Sequence, residues 1–217
     1  MTKAIPKTPK RKAKKPAGPL SIEAWTRAAL DLIRRDGVQA VAVEPLAKAL
    51  GVTKGSFYWH FANRDELVAA ALQAWEQDQS TDVVARWAGV PEPRRRLRVM
   101  IFSAFEDVEN GLLHAALSAS SEDPRVKPAL RRVTENRMAF GVRSFMALGL
   151  PEDEARRRAL LTYSAYAGYF DLMRAMPDAV RAVADLSAYV RYLADALLPE
   201  GLETAPQPRG GTPRRKR

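Results

Sequence analysis

Gly51-Val52-Thr53-Lys54-Gly55-Ser56-Phe57-Tyr58-Trp59-His60-Phe61 runs almost directly into Asn63-Arg64-Asp65-Glu66-Leu67, and the way this stretch divides decides the fold. Gly51 ends one short helix and supplies a sharp turn, while Thr53 is placed to N-cap the next. Phe57 and Phe61 lie one helical turn apart and share a face that packs inward. Lys54, Ser56, Tyr58, Trp59 and His60 then point elsewhere. A helix from Thr53 to Phe61 with two buried Phe and a row of cationic, hydroxyl and aromatic groups suits a DNA major groove better than a protein core.

Upstream, Ser21 is placed to cap a helix in which Ile22, Trp25, Ala29, Leu32 and Ile33 recur at helical spacing until Gly37 stops it. Arg34 and Arg35 near its end complement the helix dipole. Val43 to Leu50 reads as a second helix with Leu46, Ala47 and Leu50 inward. Pro45 is tolerated in its first turn, where a missing N–H costs no ladder bond. Asn63, Arg64 and Asp65 open a long fourth helix whose Leu67, Ala71, Leu72 and Trp75 face Phe61 and Trp25. Three short helices with a tight Gly turn between the second and third make a helix-turn-helix docked on a longer helix.

Gly51 to Phe61 with Arg64 and Leu67, preceded by Leu46-Ala47 and the Gly37 turn, resembles the TetR/AcrR family of transcriptional repressors. The resemblance covers about residues 20–76; beyond them only the general plan is shared, a variable helical half that dimerises and binds an effector. It implies that Thr53, Lys54, Gly55, Ser56, Tyr58, Trp59 and His60 form the DNA-binding set and that Arg64 reaches a phosphate. Tyr58 can offer its hydroxyl to a phosphate and its ring to a thymine methyl; His60 can donate to a phosphate or base edge. Trp59 has two open places, against the sugar-phosphate backbone or beside the first helix. Glu44 reads as a solvated acid or as an acceptor for cytosine. One departure concerns the second helix: Ala42 or Val43 stands where the family has a Thr that caps the helix and touches a phosphate.

The chain has 217 residues and a net charge of +10, enough length for one large or two small domains. The excess charge sits at the ends. Residues 1–19, including Lys10, Arg11, Lys12, Lys14 and Lys15, and residues 205–217 hold Lys and Arg without any acid, so the interior is nearly neutral. Both ends are rich in Pro and read as disordered basic tails, either solubilising or reaching phosphates in a salt-sensitive way. The expected organisation is a disordered arm over 1–19, a helix-turn-helix domain over 20–66, a helical effector-binding and dimerisation domain over 67–199, and a tail over 200–217. There is no Cys, and His60 and His114 are the only histidines. Disulfides, thiolate zinc and His-cluster metal sites are thereby excluded, and no cofactor is expected. No apolar run approaches the roughly 18 residues of a membrane span, so a cytoplasmic protein is expected.

The C-terminal half reads as longer helices broken by Pro and Gly. One runs from Pro91-Pro93 to about Asn110, a Gly111 break precedes a short one to Ser121, and a third extends from Pro124 to Leu148 with Met138, Val142 and Phe145 on one face. A fourth spans Glu152 to Met176 and a last one Ala179 to Leu198. Phe102, Phe105, Met138, Tyr163 and Tyr166, with His114 or Asn136 as a polar handle, are the candidate ligand-binding residues, and core packing is the competing reading for each. The Glu152 helix is apolar on two sides. Leu161, Ala165, Gly168 and Leu172, with Leu186, Val190, Leu193 and Leu197 of the last helix, are the candidate interface of a homodimer. The implied function is a double-stranded-DNA regulator that reads a pseudo-palindromic operator and is released when a small-molecule effector tilts the fourth helix. A non-specific architectural DNA protein working through its tails is the alternative. An all-helical enzyme is less favoured, because no triad, phosphate loop or carboxylate motif appears.

Overall fold

The structure is a computed structural model that describes residues 20–183 and 185–198. The basic arm expected at 1–19 and the tail expected at 200–217 lie outside the described residues. Among the described residues the regular structure is entirely helical.

α1 covers Ile22–Asp36, with the Ser21 hydroxyl accepting from the Ala24 N–H and Gly37 closing the helix at φ +84°. A single 3-10 turn over Val38–Ala40 leads to α2, Val43–Ala49. Gly51, at φ +69°, makes the reversal that a side-chain-bearing residue resists. α3 spans only Lys54–Tyr58 and is shorter than its sequence suggests. Thr53 occupies its N-cap, but its hydroxyl caps no N–H. Asn63 does cap α4, Arg64–Glu76, by accepting from the Glu66 N–H. α4 continues without a break through a π-helical segment, Gln77–Asp82, into α5, Val83–Ala88.

α6 is Pro93–Glu106 and α7 is Val108–Ser118. The break between them falls at Asp107, whose carboxylate caps α7 by accepting from the Asn110 N–H. Gly111, expected at that break, instead lies inside α7 because the Phe170 ring packs flat on it. α8 is Val126–Met146 and α9 is Glu152–Ala175. The expected last helix is two helices, α10 at Pro177–Val183 and α11 at Leu186–Leu197. The Asp185 carboxylate starts the second by accepting from the Ala188 N–H, which separates it from the first.

Two apolar cores result. The first gathers Trp25, Ile33, Phe57, Phe61, Leu67, Leu72 and Trp75 together with Leu113 and Leu117 of α7 and Val126 and Val133 of α8. α7 thus lies against α1, and the helix-turn-helix shares its core with the C-terminal half. The second core is built from α5, α6, α8, α9 and α11 around Leu97, Ile101, Phe105, Phe140, Phe145 and Phe170. Each fully buried aromatic of this size contributes about 2–3 kcal/mol.

Gly111→Ala should therefore destabilise the protein. Its Cβ would overlap ring carbons of Phe170, itself fully buried, so the loss should be about 1–3 kcal/mol. A lowered urea midpoint checks this; an unchanged or raised midpoint would show that the ring gives way freely.

Candidate functional site

The helix-turn-helix presents α3 on the outside of the first core. Phe57 anchors it, buried between the edge of Trp25 at 5.3 Å and the ring of Phe61 at 5.4 Å. On the opposite side Tyr58 is 61% and Trp59 84% exposed. Trp59 therefore does not pack beside α1, which leaves the outward place of the two open to it. Tyr58 keeps an edge contact with Phe57, 5.2 Å between ring centres, but the two exposed aromatics still offer stacking and apolar surface to a partner.

Thr53, Lys54 and Gly55 are exposed and Ser56 is half-buried. Gly55 sits in the first turn of α3, where a Cβ would meet only the Thr53 Oγ1 at 3.6 Å. Nothing in the chain itself requires the absence of a side chain there, and glycine weakens a helix by about 1 kcal/mol relative to Ala. Lys54 forms an ion pair with Glu44 across the N-termini of α2 and α3, and this hydrogen bond holds the ammonium above its usual pKa. Glu44 is thus Lys54's partner in the free protein. Ala42 at the N-cap of α2 supplies no side-chain bond, as its methyl group dictates.

Two residues of the expected DNA-binding set are placed otherwise. The Nε2 of His60 is buried without a partner, so that nitrogen is not presented to a phosphate or base. Arg64 is turned inward: its Nε donates to the Val41 carbonyl at 2.6 Å and its Nη2 to the Val38 carbonyl at 2.8 Å. The guanidinium thereby ties the segment before α2 to the start of α4. It is a positioning residue in the free protein: with Nη1 donating to the Asp65 carboxylate at 3.1 Å, all three of its nitrogens have partners within the chain.

In the second core a cavity of about 40 Å³ is lined by Trp87, Met100, Ile101, Ala104, Phe105, Arg137, Gly141, Ala159, Thr162, Tyr163 and Tyr166. Phe105, Tyr163 and Tyr166 are the expected ligand residues that border it. His114 lies behind it, with Nε2 and the Tyr163 hydroxyl sharing a hydrogen bond of 2.8 Å. That hydroxyl also meets Thr134 at 2.8 Å. Burial, and then the charge of Arg137, lower the His114 pKa to about 3, so the imidazole is neutral. Phe102 faces outward beneath the Arg98 guanidinium, 5.4 Å from its ring centre. Asn136 is exposed in a polar groove beside Glu76 and Arg132, and Met138 is half-buried away from the cavity. The register of α8 causes the departures of Asn136 and Met138: from Val133 onward its buried positions are Val133, Arg137, Phe140, Gly141, Ser144 and Phe145. Sequence reasoning missed Arg137. The signal was present as a cation one turn after Val133 and one before Gly141, on the apolar stripe itself.

On α9, Leu161 is 58% and Leu172 47% exposed, and Ala165 and Gly168 lie between them. A groove lined by Ala165, Gly168, Tyr169, Leu172, Met176 and Val180 runs along this side toward α10. The α11 half of the expected interface is different. Val190 and Leu197 are buried in the chain's own second core, and Leu186 and Leu193 pack against it. The amphipathic stripe of α11 is spent inside the subunit, and its outward bulky residue is Tyr192.

Residues 26–71 match the family model described as bacterial regulatory proteins, tetR family. The tetracycline repressor protein class A from transposon 1721 of Escherichia coli is 40% identical over 60 residues, 28% of this chain and 28% of that protein. The HTH-type transcriptional regulator AcrR of Shigella flexneri is 28% identical over 166 residues, covering 64% of this chain and 70% of that protein. The match thus spans less than a third of the tetracycline repressor. In fold, a transcriptional regulator from Rhodococcus sp. Rha1 superposes with a TM-score of 0.66 at 21% identity, covering 82% of this chain and 94% of the other.

Gly55→Ala should raise stability by up to about 1 kcal/mol through helix propensity while weakening DNA binding. Tyr58→Ala and Trp59→Ala should leave the urea midpoint within about 0.5 kcal/mol of the parent and also reduce DNA affinity. Denaturant melts and gel-shift titrations separate the two readouts; full affinity in all three variants would remove this face from DNA contact.

Proposed function

We propose that this chain is a TetR/AcrR-family DNA-binding transcriptional regulator, a repressor that binds a pseudo-palindromic operator as a homodimer and leaves it when a small molecule occupies the second core. The observation that carries the DNA-reading half is the outward pair Tyr58 and Trp59 beside the open Gly55 on α3. In this reading residues 20–66 contact DNA, residues 67–199 bind effector and dimerise, and the protein works in the cytoplasm. Among the described residues no helix is long and apolar enough to cross a membrane.

The dimer reading rests on the outer face of α9. Leu161 and Leu172 are exposed, and a Cβ on Gly168 between them would meet no atom within 4 Å. A helix-weakening residue in open space on an apolar face fits close approach of a second helix. Two copies related by a two-fold axis would set their α3 helices at half-sites one helical turn or more apart. Release has a mechanical basis. Trp87, which lines the cavity, and Arg64, which braces α2, belong to one continuous helix through α4, the π segment and α5. An effector that binds better to one position of this rod shifts the population of DNA-competent dimers.

Selection from a random duplex pool at near-physiological salt should enrich an inverted repeat, preferred by roughly 10³-fold or more over random sequence. Uniform, salt-sensitive binding without enrichment would instead favour an architectural DNA protein. Leu161→Arg should yield monomers by light scattering and weaken operator binding; an intact dimer would move the interface off α9.

A further inference from the structure

Arg137 is the unusual group in the second core. Its residue is 8% exposed, it lines the cavity, and its guanidinium carbon lies 5.4 Å from the ring centre of Tyr166, another lining residue. Among the described residues it forms no ion pair, and its hydrogen bonds go to one residue. Nε donates to the Gln79 carbonyl at 3.0 Å and Nη2 to the Gln79 side-chain oxygen; no hydrogen bond from Nη1 is present. A buried cation that lacks a carboxylate partner is costly unless something else supplies the counter-charge. No Asp or Glu lines the cavity, and apart from Arg137, Thr162 and the Tyr163 and Tyr166 phenols its wall is aromatic and aliphatic. His114 behind Tyr163 is neutral and adds no charge.

We propose that this cavity receives an organic anion, a carboxylate on an apolar or aromatic body, and that Arg137 is its recognition residue. This deepens, and rests on, the reading of the chain as a ligand-released regulator. The planar guanidinium can hold both oxygens of a carboxylate, while Trp87, Ile101, Phe105 and Tyr166 cover the apolar body. A cationic ligand would meet an uncompensated like charge. A neutral ligand would leave the guanidinium without a counter-ion.

The present partner of Arg137 tells what the anion would do. Gln79 lies in the π-helical segment, the one irregular stretch in the rod that joins α4 to α5. A carboxylate that takes the Nε–Nη2 side of the guanidinium competes with both oxygens of Gln79 for the same N–H groups, whereas one held by Nη1 and the second Nη2 N–H does not. At about 40 Å³ the cavity has room for about three waters, so any such ligand also has to part the walls. Both demands fall on the π segment and α5, and thus on the helix that carries Arg64.

The test uses the full chain with phenylacetate and decanoate as probes and their uncharged amides, phenylacetamide and decanamide, as controls. Binding is read by thermal shift and by tryptophan fluorescence, and operator release by gel shift. The carboxylates should bind about tenfold or more tighter than the amides, the effect expected of a charge-assisted fork. Arg137→Gln should erase that preference and Arg137→Lys should restore part of it. Should Arg137→Gln fail to fold, Ala104→Phe, which fills the cavity and leaves the cation in place, should block the carboxylates. Equal binding of acids and amides, undiminished acid binding by Arg137→Gln or Ala104→Phe, or no binding by any of the four probes would overturn the proposal. Amides that bind and release the operator would sink the anion inference and leave the ligand-released repressor standing. Carboxylates that bind through Arg137 without releasing DNA would do the reverse.

Discussion

A helix of five residues cannot hold itself in water; isolated helices shorter than about 12–15 residues are marginal even with favourable sequences. α3 exists because Phe57, which has no accessible surface, is clamped between Trp25 and Phe61. The rest of the molecule is arranged to keep that clamp closed. Trp25 is held by α1, α1 lies on α7, and Phe61 leads into the Asn63 cap of α4. Because one side chain supplies the anchoring, the outward residues of α3 are free of folding duties. That freedom is what permits a glycine in so short a helix, with an unbonded threonine at its N-cap and a bare tryptophan at its C-cap.

A second set of polar contacts fixes this unit to the C-terminal half. Arg125, at the start of α8, bonds Asp65 at the start of α4 and Asp123 in the preceding turn. Asp123 also accepts from Gln39 at 3.2 Å. The hydrogen bonds from Arg125 hold the Asp123 carboxyl down at about 2, well below its usual pKa. Arg64, next to Asp65, grips the carbonyls of Val38 and Val41. One chain of charges thus runs from the α7–α8 turn to the entry of α2. With the shared first core, it ties the helix-turn-helix to α4 and α7.

The sequence was most legible where a local rule has a single solution. The Ser21 and Asn63 caps, the Gly51 reversal and the Phe57–Phe61 face were all readable from spacing. So was the two-sided character of α9, whose Tyr166 and Phe170 turn inward while Leu161 and Leu172 turn out. Legibility failed where tertiary contact overrides a local signal. Gly111 looks like a break until Phe170 lies on it, and Asp185 looks like a helix surface residue until its carboxylate caps a new helix. At the candidate site the resemblance pointed to Arg64 as a phosphate contact, while the carbonyls that claim it come from a segment more than twenty residues earlier. Arg137 was passed over for a related reason: its place on the apolar stripe is legible, but a cation there is ordinarily assigned to the solvent side, and Gln79 of the π segment supplies the acceptors that let it stay in.

Energetics bear on how such a core can act as a switch. A ligand that added equal contacts to a preformed cavity in both states would stabilise the protein and release nothing, however tightly it bound. Full switching asks for a preference of about 5.5 kcal/mol between the states. Hydrogen bonds to a charged group are worth about 1.5–3 kcal/mol each, so the two that Arg137 gives Gln79 are of the scale required. A contracted cavity makes the difference between states large by construction, since the state described has almost no room for the ligand. Where Arg137 is bound to Gln79 the π segment is braced and Trp87 stays packed on Phe140, 5.6 Å between ring centres. The same guanidinium cannot brace the segment and grip an anion with the same N–H groups. An anion that takes the Nε–Nη2 side of the guanidinium would displace Gln79, and this competition would tie occupancy of the second core to the position of α4 without any contact between the ligand and the DNA-reading helix.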